Sequence, residues 1–267
     1  MDVSKAKNVV IVLLLVFNIF LLANMLIFHS SQGVSKETLE NTRLILAQRG
    51  IKLECEIPSK PGGNSRLVYI KSELDEENIA GRLLGTKYEA SGDGSHFFSS
   101  NGKIEFTGID SFIYTAGTEA RAQDAVSVKE AEDAAMKFMK DKGLLTGKFV
   151  LDRSEENGDG SWTLDYIETY GGSLLFDNCF SVTVRGREVS RLEYRKHQFK
   201  GFSSENIEQF EAYQALLAHF KEKSDIVIIS IDSGYKLEEP SMEDVETVEL
   251  LPVWRVKIKG MHEPVYI

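Results

Sequence analysis

The residue types that carry most protein chemistry are present in this sequence, but their spacing matches none of the common catalytic patterns. The five histidines form no His-Glu-x-x-His pair, the spacing that places two zinc ligands on one helix face. A Gly-x-Ser-x-Gly nucleophile elbow and a phosphate-binding P-loop are also missing from the sequence. These patterns therefore specify no catalytic residue, no metal ligand and no cofactor site.

Carboxylates are the one abundant reactive group, and their number makes chance pairs common. The chain has 41 acidic residues, among which Asp165 and Glu168 are one pair with the residue types for acid–base work on a glycan. The acidic run 154–161 lacks the alternating ligands and final Glu of a calcium loop, so it is interpreted as a hairpin tip. An anchored cell-wall hydrolase stays as an alternative, which requires a carboxylate pair in a cleft.

The net charge of the chain limits the kinds of partner that it can bind. At −10, the protein repels nucleic acid and anionic headgroups, so we expect no nucleic acid partner.

Residues 9–28, VVIVLLLVFNIFLLANMLIF, include sixteen Val, Ile, Leu or Phe and predict a transmembrane helix. Twenty helical residues span about 30 Å, the thickness of a bilayer's hydrocarbon core. The run is longer than the apolar part of a signal peptide, which favours an uncleaved anchor. Lys5 and Lys7 place the stub 1–8 in the cytoplasm, so the remainder is expected outside the cell as a single-pass membrane protein.

Asn18 and Asn24 are unexpected in so apolar a segment. In a bilayer a side-chain carboxamide is stabilised by a hydrogen bond to another polar group, and such a hydrogen bond between helices contributes about 0.6–2 kcal/mol. Both are therefore candidates for contact with a transmembrane partner, and the alternative is that a strong anchor tolerates them. Six residues of helix separate them by about 120° around the axis, so they lie on different faces, and Asn18 is the better candidate.

Beyond the anchor, the pattern predicts an α+β extracytoplasmic region of repeated helix-plus-antiparallel-sheet units. The first unit spans 35–120, and the second region, 127–267, contains two rounds at 127–200 and 203–267. Ser35 is an N-cap candidate for the first helix, and Ser127 and Glu130 have the spacing of a capping box at the start of the second. Four strands are predicted after the second helix, over 148–156, 161–170, 174–186 and 188–199. The third helix is predicted over 203–223, with Ile207, Phe210, Tyr213 or Gln214, Leu217 and Phe220 on its apolar face.

The cysteines and tryptophans lie in strand-like patterns. Cys55 and Cys179 are both expected outside the cell, in a compartment that permits a disulfide. Buried free thiols fit the pattern equally well. Trp162 and Trp254 are interpreted as core residues.

Three stretches resemble the YycI family: the amino terminus MDVSKAKNVVIVLLLVFNIFLLANML, the segment ETLENTRLILAQRGIKLECEIP, and the carboxyl end DIVIISIDSGYKL with LPVWRVKIKG and VYI. The carboxyl end is also similar to YycH-type units and to PepSY-like domains.

The resemblance implies a regulator of signal transduction that is not an enzyme. YycI proteins act with YycH on the membrane histidine kinase of the YycFG (WalRK) two-component system, which governs cell-wall metabolism, and their transmembrane helix contributes to kinase contact. The expected partners are therefore that sensor kinase, a YycH-like protein and the membrane. The alternative is a PepSY-like extracytoplasmic peptidase inhibitor or chaperone.

Overall fold

A computed structural model describes residues 3–30, 33–60, 65–70, 73–92, 94–117, 126–207, 210–237 and 247–267. These residues form five helices and fourteen strands, a mixed α+β fold. The helices are α1 (Val3–Ser30), α2 (Lys36–Gln48), α3 (Glu76–Leu84), α4 (Val128–Asp141) and α5 (Ala212–His219). The strands are β1 (Ile51–Leu53), β2 (Ser65–Ile70), β3 (Glu89–Ala90), β4 (His96–Ser99), β5 (Gly102–Gly108), β6 (Ser111–Ala116), β7 (Lys148–Glu156), β8 (Trp162–Tyr170), β9 (Ser173–Arg185), β10 (Glu188–Arg195), β11 (Gln198–Asn206), β12 (Ile226–Leu237), β13 (Thr247–Ile258) and β14 (Val265–Tyr266).

Two helices begin where the capping residues predict. The hydroxyl of Ser35 accepts a hydrogen bond from the backbone N–H of Thr38 at the start of α2. At α4, Ser127 and Glu130 form the predicted capping box. The hydrogen bonds that Glu130 accepts from Ser127, together with Arg187, lower the pKa of its carboxyl to about 2. At neutral pH the Glu130 carboxylate is therefore ionised, and its negative charge is favourable at the amino-terminal end of the helix.

Replacing Ser127 with Ala is expected to lower the free energy of unfolding by about 1 kcal/mol, because it removes the acceptor for a first-turn N–H. Urea unfolding of the full chain measures the change. Lys137→Ala, at an exposed site in the middle of the same helix, is the control and should stay within about 0.5 kcal/mol of the original protein. Equal losses in the two variants would contradict the capping role.

The long strand β9 joins two blocks of strands. The first block has the order β7-β8-β9-β10-β6-β5-β4-β3, and the second has the order β11-β2-β13-β12-β9. Leu174 and Leu175 pair with β12, whereas residues 179–185 pair with β10. A Cβ at Gly234 would lie 2.5 Å from the carbonyl oxygen of Leu174, so the close approach of β12 to β9 requires glycine here. The residues of β9 between its two pairing segments thus lie at the junction of the blocks.

Among the described residues two strand pairs are parallel, which corrects the expectation of purely antiparallel units. Strand β12 runs parallel to β1 and to the start of β9. Strands β1 and β2, from the predicted unit 35–120, pair with strands from the predicted round 203–267. The unit boundaries stay predictions, but the strands themselves pair across them.

Each block buries one face under a pair of helices. Helices α3 and α4 cover the first block, where the core includes Leu83, Ala135, Met139, Leu164, Phe180 and Leu192. Helices α2 and α5 cover the second block, where the core includes Leu46, Leu216, Phe220, Ile228, Trp254 and Val256. Trp254 is 1% exposed and its indole N–H donates to the carbonyl oxygen of Phe210, which confirms its predicted core role.

The helix predicted over 203–223 is wrong at its beginning. Residues up to Asn206 continue β11, which pairs with β2, and the helix spans only Ala212–His219. Its buried residues are Ala212 and Leu216, while Phe210 is 72% exposed. The pairing of β11 with β2 outweighs local helical period here.

Candidate functional site

The transmembrane residues predicted from sequence lie on α1. Asn18 is exposed, and its amide donates a hydrogen bond of 2.9 Å to the carbonyl oxygen of Leu14 one turn earlier. This bond satisfies one of its two N–H donors within the helix. Lys7 is exposed, whereas the side chains of Lys5 and Asn24 lie outside the part that the structure describes. The structure thus gives a geometry for Asn18 alone among the candidate contacts.

The described apolar side chains of α1 contact little of the protein. Over residues 10–22 its large apolar side chains are 49–66% exposed. Within the described residues, no helix combines the length and apolarity required to cross a membrane.

A cleft of about 830 Å³ separates the open face of the first block from the second block. On β10, Leu192 and Tyr194 belong to the core beneath α4, so the alternating Glu193 and Arg195 point to the opposite face and line the cleft. The same alternation brings Ser181 of β9 into the cleft. This volume is within the range of natural ligand pockets.

A buried ion network closes one end of this cleft. Arg255 of β13 is 3% exposed, and its guanidinium donates two hydrogen bonds to the carboxylate of Asp152 of β7, at 2.9 and 2.7 Å. It also donates to Asp232 of β12 at 2.9 Å, and Lys257 donates to Asp152 at 2.8 Å. The guanidinium carbon lies 4.7 Å from the ring centre of Phe176. The network therefore ties the edge strand of the first block to the second block.

Burial and charge act in opposite directions on Asp152. Burial alone would raise the pKa of its carboxyl, but hydrogen bonds from Arg255 and Lys257 outweigh burial and hold the pKa below its ordinary value. Asp152 is consequently ionised at neutral pH, and it acts as a structural anion rather than as a proton donor.

A strap of residues 259–264 borders the cleft beside β7. The guanidinium of Arg153 lies 3.2 Å from Nε2 of His262 and also pairs with Asp165 at 3.2 Å. Asp165 accepts a 2.6 Å hydrogen bond from the hydroxyl of Ser181. The strap thus contacts the first block through Arg153, which also pairs with Glu155 and Asp165.

A second polar cluster lies at the junction of the blocks. Asn178 is fully buried, donates to Glu168 at 2.6 Å and accepts from the backbone N–H of His197 at 2.9 Å. Glu168 also pairs with Lys196 at 3.0 Å, and His197 lies 2.9 Å from Asp110. Burial would raise the pKa of Asp110, but its hydrogen bond with His197 outweighs burial and lowers it. The cluster joins β8, β9 and the β10–β11 connection.

The structure divides the carboxylate pair singled out from the sequence between two clusters. Asp165 faces the cleft, while Glu168 is held in the junction cluster. Cys55 and Cys179 are free thiols, and burial raises the pKa of Cys179 to about 11, which makes it a poor nucleophile at neutral pH. No group of three His, Cys, Asp or Glu among the described residues is placed to hold a metal ion.

Sequence reasoning missed the ion network and the cleft. A signal was present in β13, where Trp254 and Val256 alternate with Arg255 and Lys257 and thus place both cations on the face away from the core. The position of Asp152 beside them depends on the contact between blocks, which no local pattern encodes.

Comparison with known proteins gives the chain a family and a structural relative. The profile of the family described as YycI protein matches residues 29–265. The structure is similar to the crystal structure of YycH from Bacillus subtilis, with a TM-score of 0.55 at 12% sequence identity, over 78% of this chain and 53% of that chain. This chain therefore spans about half the length of YycH, with which it shares a fold.

A second solved structure, the Bacillus megaterium YpeB C-terminal domain, matches with a TM-score of 0.37 at 12% identity, over 89% of this chain and 93% of that chain. No curated protein matches the sequence. Because the family profile covers most of its length, from residue 29 to residue 265, the chain belongs to the YycI protein family.

Proposed function

We propose that this protein is a membrane-anchored, non-enzymatic regulator of the YycFG (WalRK) two-component system. It acts on the sensor histidine kinase through α1 and through the extracytoplasmic α+β region, together with a YycH-like protein. Its amino terminus is cytoplasmic and the α+β region is extracellular.

The exposed apolar surface of α1 carries this proposal. A helix that is apolar all round has a low free energy only where other apolar groups surround it, in a protein core or in lipid. The described part of the chain offers no such core, because the large apolar side chains over residues 10–22 stay at least 49% exposed. The bilayer and a partner helix within it supply that environment.

Asn18 is the group on α1 suited to recognise a partner helix. Its bond to Leu14 lowers the cost of placing the amide in lipid, while its second N–H and its carbonyl oxygen remain for a partner. Regulation follows if α1 and the extracytoplasmic region bind one conformation of the kinase better than the other.

Replacing Asn18 with Leu is expected to weaken association with the kinase about three- to thirtyfold, which is the effect of losing one interhelical hydrogen bond of the side-chain amide. The measurement is a split-enzyme two-hybrid assay in membranes between the full chain and the YycG-type kinase. Asn18→Gln, which keeps the amide, should retain most of the signal. Leu22→Ile, on the same helix, is the apolar control and should match the original protein.

A helix scrambled at constant composition separates the helix from the extracytoplasmic region. If the scrambled helix and Asn18→Leu both bind as well as the original chain, the proposed role of α1 is wrong. If the original chain does not bind the kinase, the regulatory proposal fails and the peptidase-inhibitor alternative takes its place.

A further inference from the structure

We propose that the cleft between the two blocks binds a short extended peptide with free ends, its carboxylate on Arg195 and its ammonium beside Glu263. This inference goes beyond the proposed function and holds whether or not α1 contacts a kinase.

The cleft presents apolar side chains that the fold leaves uncovered. Ile229 of β12 and Met261 of the strap line it and are 43% and 55% exposed. Ile113 of β6, which is half-buried, contributes from the first block. An apolar surface of this kind in a concave site favours a ligand with apolar side chains.

Arg195 is the cation that the cleft leaves unpaired. Arg153, Arg255 and Lys257 each contact a carboxylate within ion-pair distance. Arg195 lines the same cleft and is exposed, and no carboxylate of the described residues lies within 4 Å of it. The nearby Asp110 is bonded to His197 instead. A guanidinium in this setting is suited to hold a carboxylate through two hydrogen bonds.

Glu263 supplies the opposite charge on the other side of the cleft. It belongs to the strap, lines the cleft and makes no ion pair within 4 Å among the described residues. The contact of His262 with Arg153 places this part of the strap beside β7. A ligand that satisfies both charges therefore needs an anionic and a cationic end.

The width of the cleft sets the length of that ligand. Arg195 lies on β10, and three strand spacings, about 14 Å, separate β10 from β7. The registers place Arg153, which contacts the strap, opposite Glu193, two residues or about 7 Å along β10 from Arg195, so the diagonal is about 16 Å. An extended peptide covers that distance with about five residues at roughly 3.4 Å each. A fatty acid would satisfy Arg195 and the apolar surface but would leave Glu263 unpaired, so the charges favour a peptide.

The experiment is calorimetric titration of the full chain in lipid nanodiscs with a pentapeptide of alternating alanine and valine with free ends. We expect saturable binding. Arg195→Gln, or amidation of the peptide's carboxylate, should weaken it about tenfold or more, because each removes a charged hydrogen-bonded pair. Glu263→Gln, or acetylation of the amine, should also weaken binding, because each removes the pairing of the ammonium with Glu263.

Lys103→Gln is the control, since Lys103 is an exposed cation of β5 in the first block that does not line the cleft. It should bind as the original protein does, and unchanged thermal unfolding of Arg195→Gln would show that the variant is folded. Absence of binding to the original protein, or equal binding by Arg195→Gln and Lys103→Gln, would overturn the proposal. Binding of dodecanoate that depends on Arg195, without binding of the pentapeptide, would also overturn it in favour of a lipid ligand.

Discussion

Replacing Arg255 with Met is expected to lower the free energy of unfolding by about 3–5 kcal/mol, one of the two largest effects that we predict for a single substitution. The side chain is 3% exposed and contacts two carboxylates, those of Asp152 and Asp232. Met fills a similar volume against Phe176 but leaves both carboxylates short of their partner. Urea unfolding of the full chain, followed by tryptophan fluorescence, measures the loss.

Arg191→Met is the control for this experiment. Arg191 pairs with Glu193 at 2.9 Å, but the two side chains are 45% and 53% exposed, so solvent screens the pair and the loss should stay below about 1 kcal/mol. Similar losses in the two variants would contradict a special role for the buried network.

The difference between Arg255→Met and the original protein should depend on pH. Because the pKa of Asp152 is depressed in the folded protein, its contribution to stability is present above the pKa of an unfolded Asp and is lost as the pH falls through the folded value. The gap between the two proteins should therefore narrow below about pH 4, the ordinary pKa of aspartate. A gap that stays constant from pH 7 to pH 3 would show that Asp152 does not contribute.

Local elements could be predicted from the sequence where their signals are local. Ser35 and Ser127 mark the helix starts that the structure has, and the four alternating runs after α4 become β7, β8, β9 and β10. The same reasoning extended the third helix too far, because the pattern at 203–206 depends on pairing with β2, about 135 residues away in the sequence. Strand partners at such separation have no local signal.

The candidate sites divide in the same way. Asn18 could be found because an amide in an apolar run contrasts with its neighbours. The cleft could not, since Arg195, Arg153 and Glu263 come together only through the order of strands and the course of the strap. Fully buried Asn178 is a further example, because in sequence it is one polar residue among the alternating residues of β9.

The junction cluster attaches the β10–β11 connection to β9 at the point where β9 changes partners. Between Leu175 and Cys179 the strand leaves β12 and begins to pair with β10. Asn178 lies within this change and bonds to both Glu168 of β8 and the backbone of His197. One side chain thus satisfies both the N–H and the carbonyl oxygen of His197, which lies between β10 and β11. We expect the relative position of the two blocks, and hence the cleft between them, to depend on this amide.

Replacing Asn178 with Leu is accordingly expected to lower the free energy of unfolding by about 3 kcal/mol. Leu has a similar size, but it leaves the N–H of His197 and an oxygen of Glu168 buried without their partner, and each such group costs about 1–3 kcal/mol. Urea unfolding measures the loss.

Asn41→Leu, at an exposed position of α2, is the control for the change of residue type and should stay within about 0.5 kcal/mol of the original protein. The pentapeptide titration adds a second readout: if the amide sets the geometry between the blocks, Asn178→Leu should weaken peptide binding under conditions where the variant is still fully folded. A variant that is destabilised yet binds the peptide normally would mean that the amide supports the core alone. A variant as stable as the original would mean that the junction is held by Lys196 with Glu168 and by His197 with Asp110 instead.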